Sequence, residues 1–352
     1  MSAPLPGIKK IALLRPNAVG DFVFALPALH ALRASYPGAE IVYIGRQWHA
    51  DFLAGRPGPV DRVVVIPAVP GVGVPPDVEV DRDEVQAFVE AMVAERFDLA
   101  IQAFGGGQFS NPLIMGFRAR CTVGLQASGA ADLDRAVPYG RLCNSRLQLL
   151  EVAAGAGAQA WPFNWPELAV TDADRAAASR VLPAALRKPL VLLQPGASDA
   201  RRRWPAARFA ELADALADEG ALIAINGAGD EAQLAGAIAA AMRAPSIDLA
   251  GKLALGGLCG VLERSALLVS NDTGPLHLAL AIGTPGVGIY WLTNLIESGP
   301  LRQQGHRAAV SVRMHCPVCG AENLITRCAH DVSFVDDVST EQVRACALAL
   351  LG

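Results

Sequence analysis

The chain has 352 residues, of which 52% are hydrophobic and 18% are charged, and its formal net charge is −4. This length exceeds what a single core usually organises, so two domains of about 150–180 residues are expected. The negative net charge argues against a general nucleic-acid-binding protein, which would need a basic surface.

The sequence also bears on the cellular compartment. Its first ten residues, MSAPLPGIKK, lack the apolar stretch of a secretory signal, and no segment approaches the roughly 20 apolar residues of a membrane span. Seven cysteines, an odd number, favour a reducing environment over a disulfide framework. We therefore expect a soluble cytoplasmic protein.

Short apolar runs of strand length alternate with helical patterns through the first half of the chain. The predicted strands are 9–15, 40–45, 60–66, 97–104 and 122–125. The predicted helices are 21–37, 48–53, 83–95, 111–117 and 144–154. Pro27 lies inside the first of these helices and should kink it or tighten its first turns. Such alternation implies parallel βαβ units with right-handed crossovers.

The pattern breaks at 155–166 and then restarts. The predicted strands of the second half are 190–194, 221–226, 265–270 and 286–290. Its predicted helices are 172–182, 205–218, 230–242, 258–264, 276–282 and 339–351. We therefore predict an α/β protein with two Rossmann-like domains, 1–160 and 166–336, that face each other across a cleft. A last helix within 337–352 could return to the first domain.

The stretch 269–288 has the pattern of a complete strand, turn, short apolar helix, turn and strand. Asp272 and Thr273 follow the strand, His277 lies one turn into the helix, and Gly283 ends it. A helix N-terminus presents unpaired N–H groups and the positive end of a dipole, which suit a phosphate. On spacing alone, Asp272 or Thr273 could equally be a capping residue, with His277 packed on the helix side.

Ligands of open α/β sheets bind beyond the carboxyl ends of the strands. The first such loop runs through Asn17 to Gly20 and is followed by Asp21. The Asp21 carboxylate could act as a general base on an incoming hydroxyl. The alternative is that Asp21 serves as a helix N-cap.

A second loop, 194–205 with the sequence QPGASDARRRWP, follows a predicted strand. Guanidinium groups match phosphate oxygens in a bidentate manner, so Arg202 or Arg203 is a candidate for neutralising a leaving diphosphate. The alternative is a solvated basic turn.

A third loop, NGAGDE at 226–231, matches G-x-G-x-x-A with Ala232, and Asp248 follows about 20 residues later. The match to a dinucleotide fingerprint is weak for two reasons. The motif lies deep in the second half and not at the first strand of a cofactor domain, and the chain has no obvious group of residues for hydride transfer. A contact from Asp230 or Glu231 to a sugar or ribose hydroxyl is equally allowed.

Cys316, Cys319, Cys328 and His330 form a cluster near the end of the chain. The CPxCG turn offers soft ligands for zinc or iron, and a metal here would be structural because no catalytic type of residue is near it. The second pair is C-x-H instead of C-x-x-C, which weakens the motif. The remaining cysteines are expected to be small buried hydrophobes: Cys121, Cys143, Cys259 and Cys346.

Taken together, these pieces resemble glycosyltransferase family 9, the bacterial ADP-heptose:lipopolysaccharide heptosyltransferases. Gly20-Asp21 followed by LPAL at 26–29 resembles the N-terminal signature of that family. The segment 202–205 resembles its phosphate-contacting basic-Trp-Pro motif, and DTGPLHLA at 272–279 resembles its donor-site motif. The resemblance implies a GT-B fold, an acceptor-binding first domain, a donor-binding second domain, and inversion at the anomeric carbon without a catalytic metal or other cofactor.

The resemblance also implies roles for individual residues. Asp21 would be the base that deprotonates the acceptor hydroxyl. The candidate donor-binding residues for a nucleotide-diphosphate heptose are Gln194, Gly196, Arg202, Arg203, Trp204, Asp230, Glu231, Asp272, Thr273, Gly274 and His277. The sequence departs from the family pattern at Arg202, where relatives have lysine, and at Gly229, where they often have a ribose-binding glutamate.

Acceptors of the family are anionic lipid-linked oligosaccharides, so the resemblance implies transient contact with the cytoplasmic membrane face and no nucleic-acid partner. The candidate acceptor-binding residues are Asn17, Gly20, Arg118 and Arg120. Three alternatives stay open: another donor sugar, a protein acceptor, or a nucleotide-sugar binder without turnover.

Overall fold

The computed structural model describes residues 5–140, 142–159, 166–324 and 327–352. The chain forms two compact units, Met1–Glu167 and Leu168–Gly352. Within the predicted break at 155–166, positions 160–165 lie outside the described residues, and the predicted domain limits stay a prediction.

The first unit is built on one main parallel sheet. Its elements are β1 (Lys10–Leu14), α1 (Val19–Ser35), β2 (Glu40–Gly45), α2 (Gln47–Leu53), β3 (Arg62–Val65), β4 (Val69–Pro70), β5 (Gly73–Val74), α3 (Arg82–Ala94), β6 (Leu99–Gln102), α4 (Ser110–Gly116), β7 (Cys121–Gln126), β8 (Arg135–Pro138) and α5 (Ser145–Gly155). The six-stranded sheet has the order β3-β2-β1-β6-β7-β8, and β4 pairs with β5 alone. All of its described strand pairs are parallel.

The apolar run in β1 explains its central place. Ile11 and Leu14 are fully buried, as expected for a parallel strand covered by helices on both faces. The helix α1 packs against α5 and runs without a break through Pro27. It begins at Val19, two residues before the predicted start, so Gly20 and Asp21 lie in its first turn.

The second unit repeats this architecture. Its elements are α6 (Asp172–Ser179), β9 (Leu190–Gln194), α7 (Ala206–Asp218), β10 (Leu222–Ile225), α8 (Ala232–Ala241), β11 (Ser246–Asp248), α9 (Leu255–Arg264), β12 (Leu267–Asn271), α10 (Gly274–Ile282), β13 (Gly286–Trp291), α11 (Leu292–Ser298), β14 (His306–Ser311) and α12 (Thr340–Leu351). Its sheet has the order β11-β10-β9-β12-β13-β14. The described pairs are again all parallel.

Six of these elements were not predicted from the sequence: the two-residue strands β4 and β5, and β8, β11, α11 and β14. The strands β4 and β5 form a small sheet of their own, whereas β8, β11 and β14 belong to the main sheets. The strand β11 has three residues and β8 ends on a proline, so neither carries a recognisable apolar run. The strand β14 begins HRAA, with a charged side chain in second place. All three strands lie at sheet edges, where fewer apolar side chains are needed.

The last helix, α12, packs against α7, β13 and β14 of the second unit. Val343 and Ala347 of α12 are fully buried there, in the core that also holds Phe334 and Val338. The apolar face of this helix is therefore buried within the second unit, and its predicted return to the first domain stays a prediction.

In both sheets, the direction in which successive strands are added reverses at the centre of the sheet. In the first unit the chain leaves β1 and β6 toward opposite sides, and in the second unit it does so at β9 and β12. Crevices at such switch points, beyond the carboxyl ends of the strands, are the usual ligand sites of open α/β sheets. Among the described residues, every helix is too short or too polar to cross a bilayer.

Candidate active site

Asp21 lies beside the switch point of the first unit, where Arg15 holds it. Arg15 Nη2 is 3.0 Å from Asp21 Oδ1, and Arg15 Nε donates to the Asp21 carbonyl oxygen at 2.7 Å. The same guanidinium donates to the carbonyl oxygen of Ala103, directly after β6. The Asp21 side chain is 35% exposed, and within the described ranges its Oδ2 accepts no hydrogen bond. One carboxylate oxygen is therefore fixed and the other is available to a ligand.

A cavity of about 440 Å³ adjoins the loop before Asp21. Its lining includes Asn17, Arg46, Phe104 and Phe109. The exposed Arg46 is anchored through Nε, which donates to the Pro16 carbonyl oxygen at 2.8 Å. Asn17 Oδ1 is buried and, of the atoms described, none donates a hydrogen bond to it. A cation, an unsatisfied amide oxygen and aromatic faces line this cavity together.

Arg118 and Arg120 lie elsewhere. Both precede β7, which begins at Cys121, and Arg120 Nη1 is 3.3 Å from Asp98 Oδ1, before β6. In a parallel sheet the residues before the strands lie at the edge opposite the one that carries Asp21. Their predicted contact with an acceptor stays a prediction, although the structure places both arginines at the sheet edge opposite Asp21, which the sequence did not reveal.

In the second unit, α10 begins at the carboxyl end of β12. Its N-cap residue, Thr273, has an extended backbone, and its side chain makes no capping hydrogen bond. Gly274 and Pro275 form the start of the helix, and Gly283 ends it with a φ of 105°. The first-turn amides and the helix dipole are therefore available to an anion at this end.

The Asp272 carboxylate, directly before α10, is buried and fully engaged. Oδ1 accepts from Ser298 Oγ at 2.8 Å and lies 3.1 Å from His277 Nε2, while Oδ2 lies 3.5 Å from Arg202 Nη1. Burial by itself would raise the pKa of Asp272, but the hydrogen bond and charge of His277, with help from Ser298 and Arg202, bring the pKa below its usual value. Asp272 is thus a charged anchor for its neighbours.

Arg202 ends a short 3-10 turn, Ala200–Arg202, that follows β9. Its Nη1 donates to the Asp272 carbonyl oxygen at 3.3 Å, and its Nη2 donates to Ser198 Oγ at 2.9 Å. The side chain is 24% exposed. Arg202 is therefore a positioned cation at the second switch point and not part of a solvated basic run.

The two residues after Arg202 have different surroundings. Arg203 is exposed, and its Nε donates to the Ala197 carbonyl oxygen at 2.8 Å. Trp204 is 2% exposed; its indole N–H donates to the Val338 carbonyl oxygen at 2.8 Å, and its backbone N–H donates to Asn271 Oδ1 at 3.1 Å. Trp204 is thus a core residue that fixes the loop, and its contact with a donor stays a prediction.

Gln194 and Glu231 meet at the ends of β9 and β10. Gln194 Nε2 donates to Glu231 Oε2 at 3.3 Å, and Gln194 Oε1 accepts from Asn226 Nδ2 at 2.6 Å. A Cβ on Gly196 would lie 1.8 Å from Glu231 Oε1, so the glycine leaves the space that the carboxylate occupies. Asp230 is exposed beside them.

Three further residues shape this region without belonging to a predicted motif. Asn271 Nδ2 donates to the Pro195 carbonyl oxygen at 2.6 Å, which ties β12 to the loop after β9. Ser298 and Glu297 come from α11, which was not predicted. Burial, together with the charge of Asp272, raises the pKa of Glu297, while Arg202 opposes the rise. Only Asn271 carried a sequence signal, as a polar residue at a strand end.

The cysteine cluster is assembled in the second unit. The ligand atoms of Cys316, Cys319, Cys328 and His330 all lie within 4.8 Å of one another. Cys316 is buried, and His330 Nδ1 is a buried atom with no hydrogen-bond partner in the described part of the chain. Three sulfurs and one imidazole nitrogen are a donor set that zinc takes in tetrahedral structural sites, so these residues fit one metal ion.

Comparison with solved structures defines the class. A glycosyltransferase family 9 protein from Veillonella parvula DSM 2008 has a TM-score of 0.82 with 19% identity over 99% of each chain. The Escherichia coli ADP-heptose LPS heptosyltransferase II has a TM-score of 0.75 with 21% identity, covering 97% of this chain and 98% of that one. The predicted fold class is confirmed: the protein has the GT-B glycosyltransferase fold.

The family follows from the sequence comparisons. The model of glycosyltransferase family 9 (heptosyltransferase) matches residues 85–322, and the chain belongs to this family. The lipopolysaccharide heptosyltransferase 2 of Salmonella typhimurium (strain LT2) is 26% identical over 318 residues, which are 86% of this chain and 87% of that protein.

Proposed function

We propose that this protein is an inverting heptosyltransferase that moves heptose from an ADP-heptose-type donor to a lipopolysaccharide inner-core acceptor. Membership of the heptosyltransferase family supports the reaction, and the Escherichia coli structural relative, an ADP-heptose LPS heptosyltransferase, supports the donor. An anionic lipid-linked acceptor implies that the protein works transiently at the cytoplasmic face of the inner membrane. The observation that carries the proposal is Asp21, with one carboxylate oxygen held by Arg15 and the other available.

In the proposed reaction, a bond forms between the acceptor oxygen and the anomeric carbon of heptose. The bond from that carbon to the diphosphate oxygen breaks, and the electron pair leaves with the nucleotide. Asp21 Oδ2 receives the acceptor proton as a general base. Attack from the face opposite the leaving group inverts the anomeric configuration.

The donor-binding groups belong to the second unit. Arg202 and the amide end of α10 around Gly274 stabilise the negative charge that develops on the departing diphosphate. Because these protein groups supply the positive charge, the proposal assigns no catalytic step to a metal ion. Glu231, held by Gln194 beside Gly196, accepts a ribose hydroxyl and supplies the carboxylate that the family often has at the position of Gly229.

In this proposal, Asp272 and His277 do not contact the donor and act through neighbouring residues. Their side chains are buried, and Asp272 shares its oxygens among His277, Ser298 and Arg202. We assign Asp272 as the positioning residue for Arg202, and Thr273 as the hydroxyl beside the donor sugar, since it does not cap the helix.

The cavity beside Asn17 is the proposed acceptor site. Arg46 supplies the positive charge that an anionic acceptor needs, in place of Arg118 and Arg120. Asn17 Oδ1 accepts a sugar hydroxyl, and Phe109, 45% exposed, offers its ring face. The loop that carries Asn17 leads directly into Asp21, which places the proposed base next to the bound acceptor.

The test is the replacement Asp21→Asn in the full chain. It removes the proton acceptor at constant shape, so heptose transfer should fall about a hundredfold or more. Affinity for ADP, measured by calorimetry, should not change because the donor-binding groups belong to the second unit. Transfer would be followed by mass analysis of the acceptor.

The matched control is Asp51→Asn, which neutralises an exposed carboxylate in the same unit and should leave transfer unchanged. Transfer by Asp21→Asn at the wild-type rate would remove Asp21 from the mechanism. A wild-type protein that binds ADP and consumes no sugar nucleotide would be a binder without turnover. Consumption of another sugar, or modification of a protein acceptor, would keep the chemistry and change the substrates.

A further inference from the structure

The cysteine cluster touches the turn that carries Arg202. The link is Asn323, which is 3% exposed. Its Nδ2 is 3.5 Å from Cys328 Sγ, and its Oδ1 accepts from Arg201 Nη1 at 3.3 Å. One buried amide therefore joins a cluster cysteine to the residue before Arg202.

Arg201 is firmly held on the cluster side of the turn. Its guanidinium makes a bidentate pair with Asp199, with Nη2 2.7 Å from Oδ2, and it lies 5.7 Å from the centre of the Trp291 ring. Its carbonyl oxygen accepts from the Phe334 backbone N–H at 2.7 Å. Only 12% of the side chain is exposed. The turn is thus packed against the segment that contains the cluster.

Two more contacts join this segment to the turn. Ser333 Oγ donates to the Arg203 carbonyl oxygen at 2.7 Å, and Arg327 Nη1 lies 3.7 Å from Asp199 Oδ2. The described residues of 316–334 therefore contact the positions on both sides of Arg202, while the Arg202 side chain reaches Asp272.

The first two ligands already lie in a closed turn. The Gly320 N–H donates to the Cys316 carbonyl oxygen at 2.9 Å, and the Cys316 N–H donates to the Ala321 carbonyl oxygen at 2.9 Å. Gly320 has a φ of +71°, a conformation that suits glycine. The turn brings Cys316 and Cys319 to one side, facing Cys328 and His330.

We propose that Cys316, Cys319, Cys328 and His330 bind one Zn²⁺ ion, which fixes the Ala200–Arg202 turn and thereby positions Arg202 for the donor diphosphate. The second half of this statement rests on the proposed function. A metal cross-link between the closed turn and Cys328 restricts the segment far more than its few hydrogen bonds do. The ion takes no part in sugar transfer; it sets the position of a binding group.

The experiment compares the full chain, purified without added metal, with the variant Cys319→Ser and the control Cys143→Ser prepared in the same way. Cys319 is exposed, so its loss removes a ligand with little effect on packing. We expect one zinc per chain in wild type and control by elemental analysis, and much less in Cys319→Ser. Hydrogen exchange of the backbone amides at 199–203 should be faster in the variant, and ADP affinity should fall roughly tenfold, as for one misplaced charge-assisted hydrogen bond.

A second variant, Asn323→Ala, breaks the contact between the cluster and Arg201 but leaves all four metal ligands in place. It should retain zinc and still show faster exchange at 199–203. Equal exchange in Cys319→Ser and wild type would overturn the positioning role, whether or not ADP binds. Less than one metal per wild-type chain, or iron in place of zinc, would overturn the zinc assignment. If wild type binds zinc and protects 199–203 but does not bind ADP, the donor assignment fails and the metal site stands.

Discussion

Two aspartates at equivalent sheet edges have opposite surroundings. Asp21 is 35% exposed and shares one oxygen with Arg15, whereas Asp272 is 2% exposed and has partners on both oxygens. A base needs a free oxygen, while an anchor needs fixed partners. We therefore propose proton transfer for the aspartate of the first unit and the positioning of Arg202 for the aspartate of the second unit.

The anchoring role of Asp272 predicts the effect of Asp272→Asn. The change leaves the buried partners without their negative charge, and breaking such a pair should lower the free energy of unfolding by about 3 kcal/mol. ADP affinity should fall as well, because Arg202 loses its support. Urea unfolding and calorimetry would measure the two effects.

Ser298→Ala is the matched comparison for Asp272→Asn. It removes one neutral donor from the same carboxylate and should cost about 1 kcal/mol. If Asp272→Asn costs no more than Ser298→Ala, the charge of Asp272 does not anchor Arg202.

At the scale of single residues, the sequence identified motifs but did not show which side chains contact one another in the fold. It picked Arg202, Asp272 and His277 from motifs, and the structure brings the three side chains into contact. The resemblance to the basic-Trp-Pro motif also placed Trp204 among the donor-binding residues, whereas the structure buries its indole in the core. Glu297 has no motif at all, and only its packing near Asp272 marks it.

At the scale of elements, prediction succeeded where start and stop signals are local. The strands at 40–45 and 190–194 match β2 and β9, and Gly283 ends α10 as expected. Short edge strands were missed because they form by pairing with a neighbouring strand and not because of their own composition. The strand β11, for example, pairs with β10. The parallel pairing of the strands followed from the βαβ alternation, whereas the strand order is known only from the structure.

The loops after β9 and β10 contact each other at Gly196, whose missing side chain leaves room for the Glu231 carboxylate. Gly196→Ala should push the flexible Glu231 carboxylate away, because the new Cβ would lie 1.8 Å from its Oε1. We expect ADP affinity to fall about as much as in Glu231→Ala. The double variant should lose little more than either single one, since both remove the same contact.

Gly229→Ala is the control for this pair. A Cβ at Gly229 would have no neighbour within 4 Å, so calorimetry should show wild-type ADP affinity. Additive losses in the Gly196→Ala/Glu231→Ala variant would show that the two residues act on the nucleotide independently.

At the scale of the whole molecule, the two units have the same strand order and therefore each has its own switch point. Each unit presents its polar groups at its own switch point, the carboxylate of Asp21 in the first and the guanidinium of Arg202 in the second. The first sheet thus carries the proposed proton acceptor and the second the proposed anion site. In the proposed reaction, each unit thus supplies one of the two charged groups, a carboxylate for the acceptor and a guanidinium for the donor.

Stability against pH is also a property of the whole molecule, and two groups near Arg202 act on it in opposite directions. Asp272, with its lowered pKa, adds stability above the pKa of the unfolded chain, and this is lost as the pH falls. Glu297, with its raised pKa, favours folding while it is protonated, and this contribution is lost as the pH rises through its folded-state pKa. Above its folded-state pKa, the half-buried charge of Glu297 is therefore a cost.

Glu297→Gln should remove that cost, because the amide resembles the protonated carboxyl group. We expect Tm to rise by about 2–4 °C near pH 8 and to change little near pH 4, where the wild-type carboxyl already carries its proton. Glu90→Gln, which alters an exposed carboxylate of the first unit, is the control and should show no such trend. A gain in Tm that is equal at both pH values would mean that packing, and not the charge of Glu297, limits stability.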